Sequence, residues 1–346
     1  MRDSSVASTT ADRALAVVFA GLLPRPDVRN RDDGCQRSLD ALAERVLPAL
    51  SQHVLQSPSS IGIYGHTWGC GRSAFAPQTP VPESLHRVLH KGLDSNLGRP
   101  VVRQIVVTGV PHPTTLNVSL PQATAEFYFF LSIKRALSLV VDEMRVPLQH
   151  FTLLLRWDCV FYSDFVASKL NPQLLYRSSW CRAIGPPMQA GSSCRSLRPF
   201  VLRALHCTDG EGVPDFWLAG MLSTLQHTLG DAAEFLISGR LRAKACPSVH
   251  GALAGLLERA RATRGIRLGR YLVHQMDYDF IRTKQGRRFD DVNRSSIKQP
   301  LWAYAGPEAE QRSCESDQLE SCCPERLFYC GCEASPLLPV ACTRAS

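Results

Sequence analysis

Nothing in this sequence is long and apolar enough to span a bilayer. Spanning takes about 18 consecutive apolar residues, and the one candidate, Ala14 to Leu23, has ten. A secretory signal core could be that short. However, the leader Met1–Arg13 carries two arginines and two aspartates, and no small-residue cleavage site follows. The run is read instead as a first strand. Zinc-type pairing is missing too: Cys322-Cys323 and Cys330-Gly331-Cys332 lack the C-x-x-C spacing of a metal site. There is no internal repeat and no RNA-binding signature. Charged residues are only 20%, against 45% hydrophobic, which is ordinary globular composition with a sizeable core.

What is present is uneven. The 346 residues suffice for one large α/β domain or two small ones. Six of the 13 cysteines crowd the tail (Cys314, Cys322, Cys323, Cys330, Cys332, Cys342), and an odd total leaves at least one thiol unpaired within a monomer. That tail reads either as a disulfide-bonded extension or as a poorly ordered one. The net charge of +8 is concentrated between Arg240 and Arg288. Such a surface suits an anion: a phosphorylated ligand, a nucleic acid or lipid head groups. Few aromatics interleave with these cations, which argues against nucleic acid.

Periodicity organises the rest. Residues 1–12 read as a loose leader and Arg13 to Leu23 as a strand broken at Ala20-Gly21. Leu39, Leu42, Val46, Leu50 and Val54 recur at helical spacing through Ser38–Leu55. Ile61-Gly62-Ile63-Tyr64 reads as a second strand terminating at Gly65-His66-Thr67-Trp68-Gly69, which completes a strand–helix–strand unit and implies a parallel sheet. In the Pro/Gly-rich stretch 71–121 only Arg103–Thr108 reads as a strand. Phe127, Phe130, Ile133, Leu137, Val140 and Met144 mark a long helix, with Lys134 and Arg135 on its flank. The chain then reaches Phe151-Thr-Leu-Leu-Leu-Arg156-Trp157-Asp158, a buried strand whose charged residues must emerge at its carboxyl end. Open α/β sheets hold their ligands there. Later come an apolar segment with one carboxylate (213–220, Asp215), a helical region Leu222–Ile237, a helix opened by His250, and a last strand Arg270–His274.

Four of these segments, in order, resemble GT-A-type glycosyltransferase-like proteins. They are Ala20-Gly21 with Arg25, His66-Thr67-Trp68 at the second strand's end, Arg156-Trp157-Asp158, and Asp215-Phe216-Trp217. The resemblance covers about residues 13–285 and implies a single GT-A-like, Rossmann-like domain: a mostly parallel central sheet flanked by helices, with 286–346 as the Cys-rich tail. It implies sugar transfer from a nucleotide-sugar donor to the hydroxyl of a glycan, glycoprotein or lipid acceptor.

The resemblance also implies roles. Gly21, Arg25, His66, Trp68, Lys134, Arg156 and Asp158 would line the donor site, His66 and Trp68 by packing. Asp215 would orient or deprotonate the acceptor, Arg156 would neutralise the diphosphate, and Phe216 and Trp217 would stack on an acceptor sugar. Mn²⁺ or Mg²⁺ would sit on Asp158, with Asp164 and His274 as further ligands. The usual pattern has two aspartates flanking one residue. Here the first is Arg156, and a guanidinium can neutralise a diphosphate directly through paired hydrogen bonds. A relative that binds nucleotide or sugar without catalysis is the alternative. Two N-x-S sequons, at Asn117 and Asn293, are compatible with a Golgi or other secretory lumen. A cytoplasmic protein is the alternative location.

Overall fold

A computed structural model describes residues 14–24, 36–56, 60–68, 82–119, 124–143, 150–178, 181–183, 195–199, 213, 215–238, 249–272, 278–281, 283–284, 287–288 and 328–329. The main sheet has seven strands: β1 (Leu15–Gly21), β2 (Ile61–Thr67), β3 (Val102–Val107), β4 (Phe151–Arg156), β6 (Leu174–Arg177), β9 (Trp217–Met221) and β10 (Arg267–Arg270). Smaller pairings involve β5 (Cys159–Phe161) with β11 (Tyr278–Phe280), and β7 (Cys181–Ala183) with β8 (Arg195–Pro199). In the main sheet the spatial order is β10-β6-β9-β4-β1-β2-β3. Its pairings are parallel except where β9 runs antiparallel between β4 and β6. The protein is thus an α/β structure with a mostly parallel mixed sheet.

Every residue of β1 and β2 is buried, as expected for strands covered on both faces. Side chains alternate between two cores. Leu15, Val17, Phe19 and Trp157 face the helical rod made of α1 (Gln36–Ala41), a π-type turn and α2 (Leu47–His53), together with α3 (Pro82–Leu89). Ala16, Val18, Ala20 and Leu154 face α5 (Ala125–Glu143), α6 (Leu222–Leu229) and α8 (Val249–Arg264). Among the described residues no helix is long and apolar enough to cross a membrane.

Several elements depart from expectation. Strand β2 continues through Gly65 to Thr67 because the missing Cβ is required there: a methyl group would lie 2.7 Å from the Trp157 ring. Helix α3, opened by Pro82 and followed by a helical extension to α4 (Ser95–Leu97), was not foreseen, although Leu85, Leu89 and Leu93 recur every four residues. The Leu222–Ile237 helix is two: α6 and α7 (Ala232–Ile237), separated at Gly230-Asp231. The last sheet strand is Arg267–Arg270 rather than Arg270–His274, since Gly265 (φ +64°) ends α8 early and Leu272 (φ 49°) turns the chain away. Of the tail, Arg287–Arg288 and Phe328–Tyr329 lie among the described residues, the first paired with Thr283–Lys284 and the second with Arg195 and Ser196.

Candidate functional site

From β1 the chain crosses to β2 and β3 on one side; from β3 it returns through α5 to β4 on β1's other side. The carboxyl ends of β1 and β4 therefore form the topological switch point, where connections depart over opposite faces and leave a crevice. Gly21 ends β1 there with φ +101°, a conformation that excludes most side chains. Arg156 ends β4.

Arg156 is clamped between two carboxylates. Its Nε and Nη2 donate to Asp158 Oδ1 and Oδ2 at 2.9 and 2.6 Å, a two-pronged pairing within three residues of chain. Its Nη1 donates to both oxygens of Asp215 at 3.0 Å. Because β9 runs antiparallel to β4, Leu155 faces Trp217 and the Arg156 N–H bonds to the Phe216 carbonyl. That reversal brings Asp215, 59 residues away in sequence, to the carboxyl end of β4. All three side chains are nearly enclosed, at 11%, 8% and 7% exposure. Burial alone would lower the guanidinium's pKa. The two charges beside it outweigh that and raise it, so Arg156 stays a cation. His250 flanks the group, its Nδ1 at 3.1 Å from the Val213 carbonyl and 3.6 Å from Asp215.

A second constellation lies one strand over. Ser132 of α5 accepts from the Gly21 N–H and from His66 Nδ1, both at 2.8 Å, and donates to the His66 carbonyl at 3.2 Å. His66 Nε2 meets the Thr108 hydroxyl at 2.9 Å, and Thr108 accepts from Arg135 at 3.0 Å. One proton arrangement serves all five bonds: His66 carries its proton on Nδ1 and accepts at Nε2. Burial, then the nearby Arg135 charge, push the His66 pKa down to about 3, so the ring is neutral. Trp68 closes the group. Its indole N–H donates to the Tyr128 carbonyl, and its ring meets His66 edge-on at 4.4 Å.

Of the residues expected at a site, Gly21, Arg156, Asp158 and Asp215 converge on the switch point, and His66 and Trp68 pack just beneath it. Others do not converge. Lys134 ion-pairs with Glu234 of α7. Asp164 accepts from His53 Nδ1 at 2.8 Å. Phe216 and Trp217 are buried, at 4% and 1% exposure, so neither ring offers a face to a sugar. Phe216 packs on Tyr278, and Trp217 sits among Phe161, Phe165 and Tyr278. Arg25 and His274 lie outside the described residues.

The expectation that Arg156 faces an open crevice, ready for a diphosphate, is corrected: both prongs of its guanidinium are engaged by carboxylates. The hollow beside it, lined by Ala20, Phe129, Ile133, Asp215 and Leu253 among others, has a volume of about 20 Å³ and admits a single water-sized group. Among the described residues no group of three His, Cys, Asp or Glu side chains is placed to hold a metal ion. Asp158 is paired with Arg156 and Asp164 with His53.

No family model matches the chain, and no curated protein does. The functional reading therefore rests on the site. Sequence reasoning missed Ser132, Thr108 and Arg135, which carry the buried network. Only the helical register of Ser132 and Arg135 on α5, three residues apart, hinted that both face the sheet.

Proposed function

We propose that the protein is a GT-A-like glycosyltransferase, moving a sugar from a nucleotide-sugar donor to an acceptor hydroxyl at the carboxyl ends of β1 and β4. The observation that carries this reading is the Asp158–Arg156–Asp215 cluster at the switch point of a mostly parallel sheet, next to Gly21 with its positive φ. In the reaction the acceptor oxygen bonds to the anomeric carbon, the bond from that carbon to the diphosphate oxygen breaks and its electron pair leaves with the nucleoside diphosphate, and the acceptor proton passes to Asp215. Arg156 fixes two carboxylates from different strands in one geometry, which is the preorganisation that positioned chemistry requires. Asp215, both of whose oxygens already accept from Arg156, suits orienting the acceptor hydroxyl. Asp158 would meet the diphosphate only through a Mn²⁺ or Mg²⁺ ion, which would supply the positive charge between two anions.

A second reading is favoured by a specific observation. With Arg156 engaged by carboxylates and a hollow far smaller than the roughly 300 Å³ of an ordinary small-molecule site, a non-catalytic nucleotide- or sugar-binding protein is the rival. Donor hydrolysis across common nucleotide sugars, with and without Mn²⁺, separates the two. Turnover by the native chain that disappears in Asp158→Ala, with folding intact by circular dichroism, supports transfer. Calorimetric binding of UDP or GDP without turnover supports the rival. Equal turnover in both chains removes Asp158 from the mechanism.

A further inference from the structure

Arg156 and Lys134 each have a carboxylate partner; Arg135 differs. This guanidinium is half-buried, stands 4.8 Å above the Trp68 ring and donates to the Thr108 hydroxyl. Among the described residues no carboxylate lies within ion-pair distance of it. Burial lowers its pKa with no opposing charge to restore it. The Trp68 face stabilises the cation, and with no carboxylate beside it among the described residues the charge is left to attract an anion.

Its position is specific. Thr108 follows β3, Trp68 follows β2, and the Trp68 N–H donates to the Gly21 carbonyl at 3.3 Å. Arg135 is therefore anchored to the carboxyl ends of β2 and β3, one strand from the switch point. The anchoring is rigid: Thr108 bonds to His66, His66 to Ser132, and Ser132 to Gly21. The neutral His66 adds no competing positive charge. One guanidinium N–H is fixed on Thr108, which leaves further N–H donors on the same planar fork.

We infer that Arg135 is an oxyanion-binding residue, taking a phosphate group of the ligand that lies along the carboxyl ends of β1, β2 and β3. This rests on the nucleotide-diphosphate reading above and moves the phosphate-binding cation from Arg156 to Arg135. The planar fork suits a phosphate, and the Trp68 face holds it in one orientation.

The test measures inorganic pyrophosphate and UDP binding by calorimetry for the full native chain, Arg135→Gln, Arg135→Lys and Arg259→Gln. Arg259 is the matched control, an exposed arginine over the Phe235 ring at 3.9 Å. The expected result is a loss of at least about tenfold in affinity for both probes in Arg135→Gln, a smaller loss in Arg135→Lys, and no change in Arg259→Gln. Should Arg135→Gln fail to fold, Arg135→Lys carries the test, because a point charge without the fork must still weaken binding. Unchanged affinity in folded Arg135 variants overturns the inference and leaves the transferase reading standing. Arginine-dependent pyrophosphate binding without nucleotide-sugar turnover upholds the inference and sinks the transferase reading. Binding of neither probe to the native chain overturns both.

Discussion

Acid should destabilise this protein through His66, and by an amount that can be worked out. The ring is fully buried, and its folded-state pKa is about 3 against an ordinary 6.5. Between those values the unfolded chain binds a proton that the folded chain refuses. Stability therefore rises with pH across this window and falls as pH drops below 6.5. At about 1.4 kcal/mol per pH unit, the loss is about 2 kcal/mol at pH 5. It approaches about 4–5 kcal/mol near pH 3. Urea unfolding of the native chain and His66→Gln at pH 7, 6, 5 and 4.5 isolates this contribution, because the other histidines are common to both. At pH 7 the variant is the less stable, by about 1–3 kcal/mol for the broken Ser132 and Thr108 bonds. By pH 4.5 the native chain should lose more than about 2 kcal/mol relative to the variant, closing or reversing the gap, since the variant carries no such titration. Parallel curves would refute the reasoning and mean that His66 is protonated in the folded protein or released by local opening.

Two further outcomes follow from packing and charge. Arg156→Met should cost about 3–5 kcal/mol, because it strands Asp158 and Asp215 as buried like charges; adding Asp158→Asn and Asp215→Asn should recover part of that in thermal unfolding, and no recovery would remove the clamp from the stability account. Gly65→Ala should cost about 1–3 kcal/mol by overpacking, its methyl meeting a Trp157 ring that is stacked on Phe19 at 4.5 Å and bonded to the His66 carbonyl; a neutral effect in urea unfolding would mean that the ring moves aside.

The stretch from Phe151 to Asp158 declared itself in the sequence because a short apolar run cannot end in Arg-Trp-Asp without those charges leaving the sheet. Helix α5 declared itself through its unbroken 3.6-residue stripe, and the parallel character of β1 and β2 through the amphipathic helix between two short apolar runs. Local chemistry sufficed in each case. The partners of those residues were not legible. Asp215 reaches Arg156 only because β9 is reversed between β4 and β6, and strand direction leaves no mark on an alternating or apolar pattern. Phe216 and Trp217 look identical in sequence whether they line a crevice or fill a core; the aromatic packing around Tyr278 decides for the core. Lys134 and Arg135 are neighbours in sequence with the same charge. The 100° turn of an α-helix sends one to Glu234 on α7 and the other to Trp68 at the strand ends. Composition and periodicity determined which elements form and which ends carry charge. Which charge meets which was settled only when the sheet closed, because ion pairs depend on distances between strands that the order of residues does not encode.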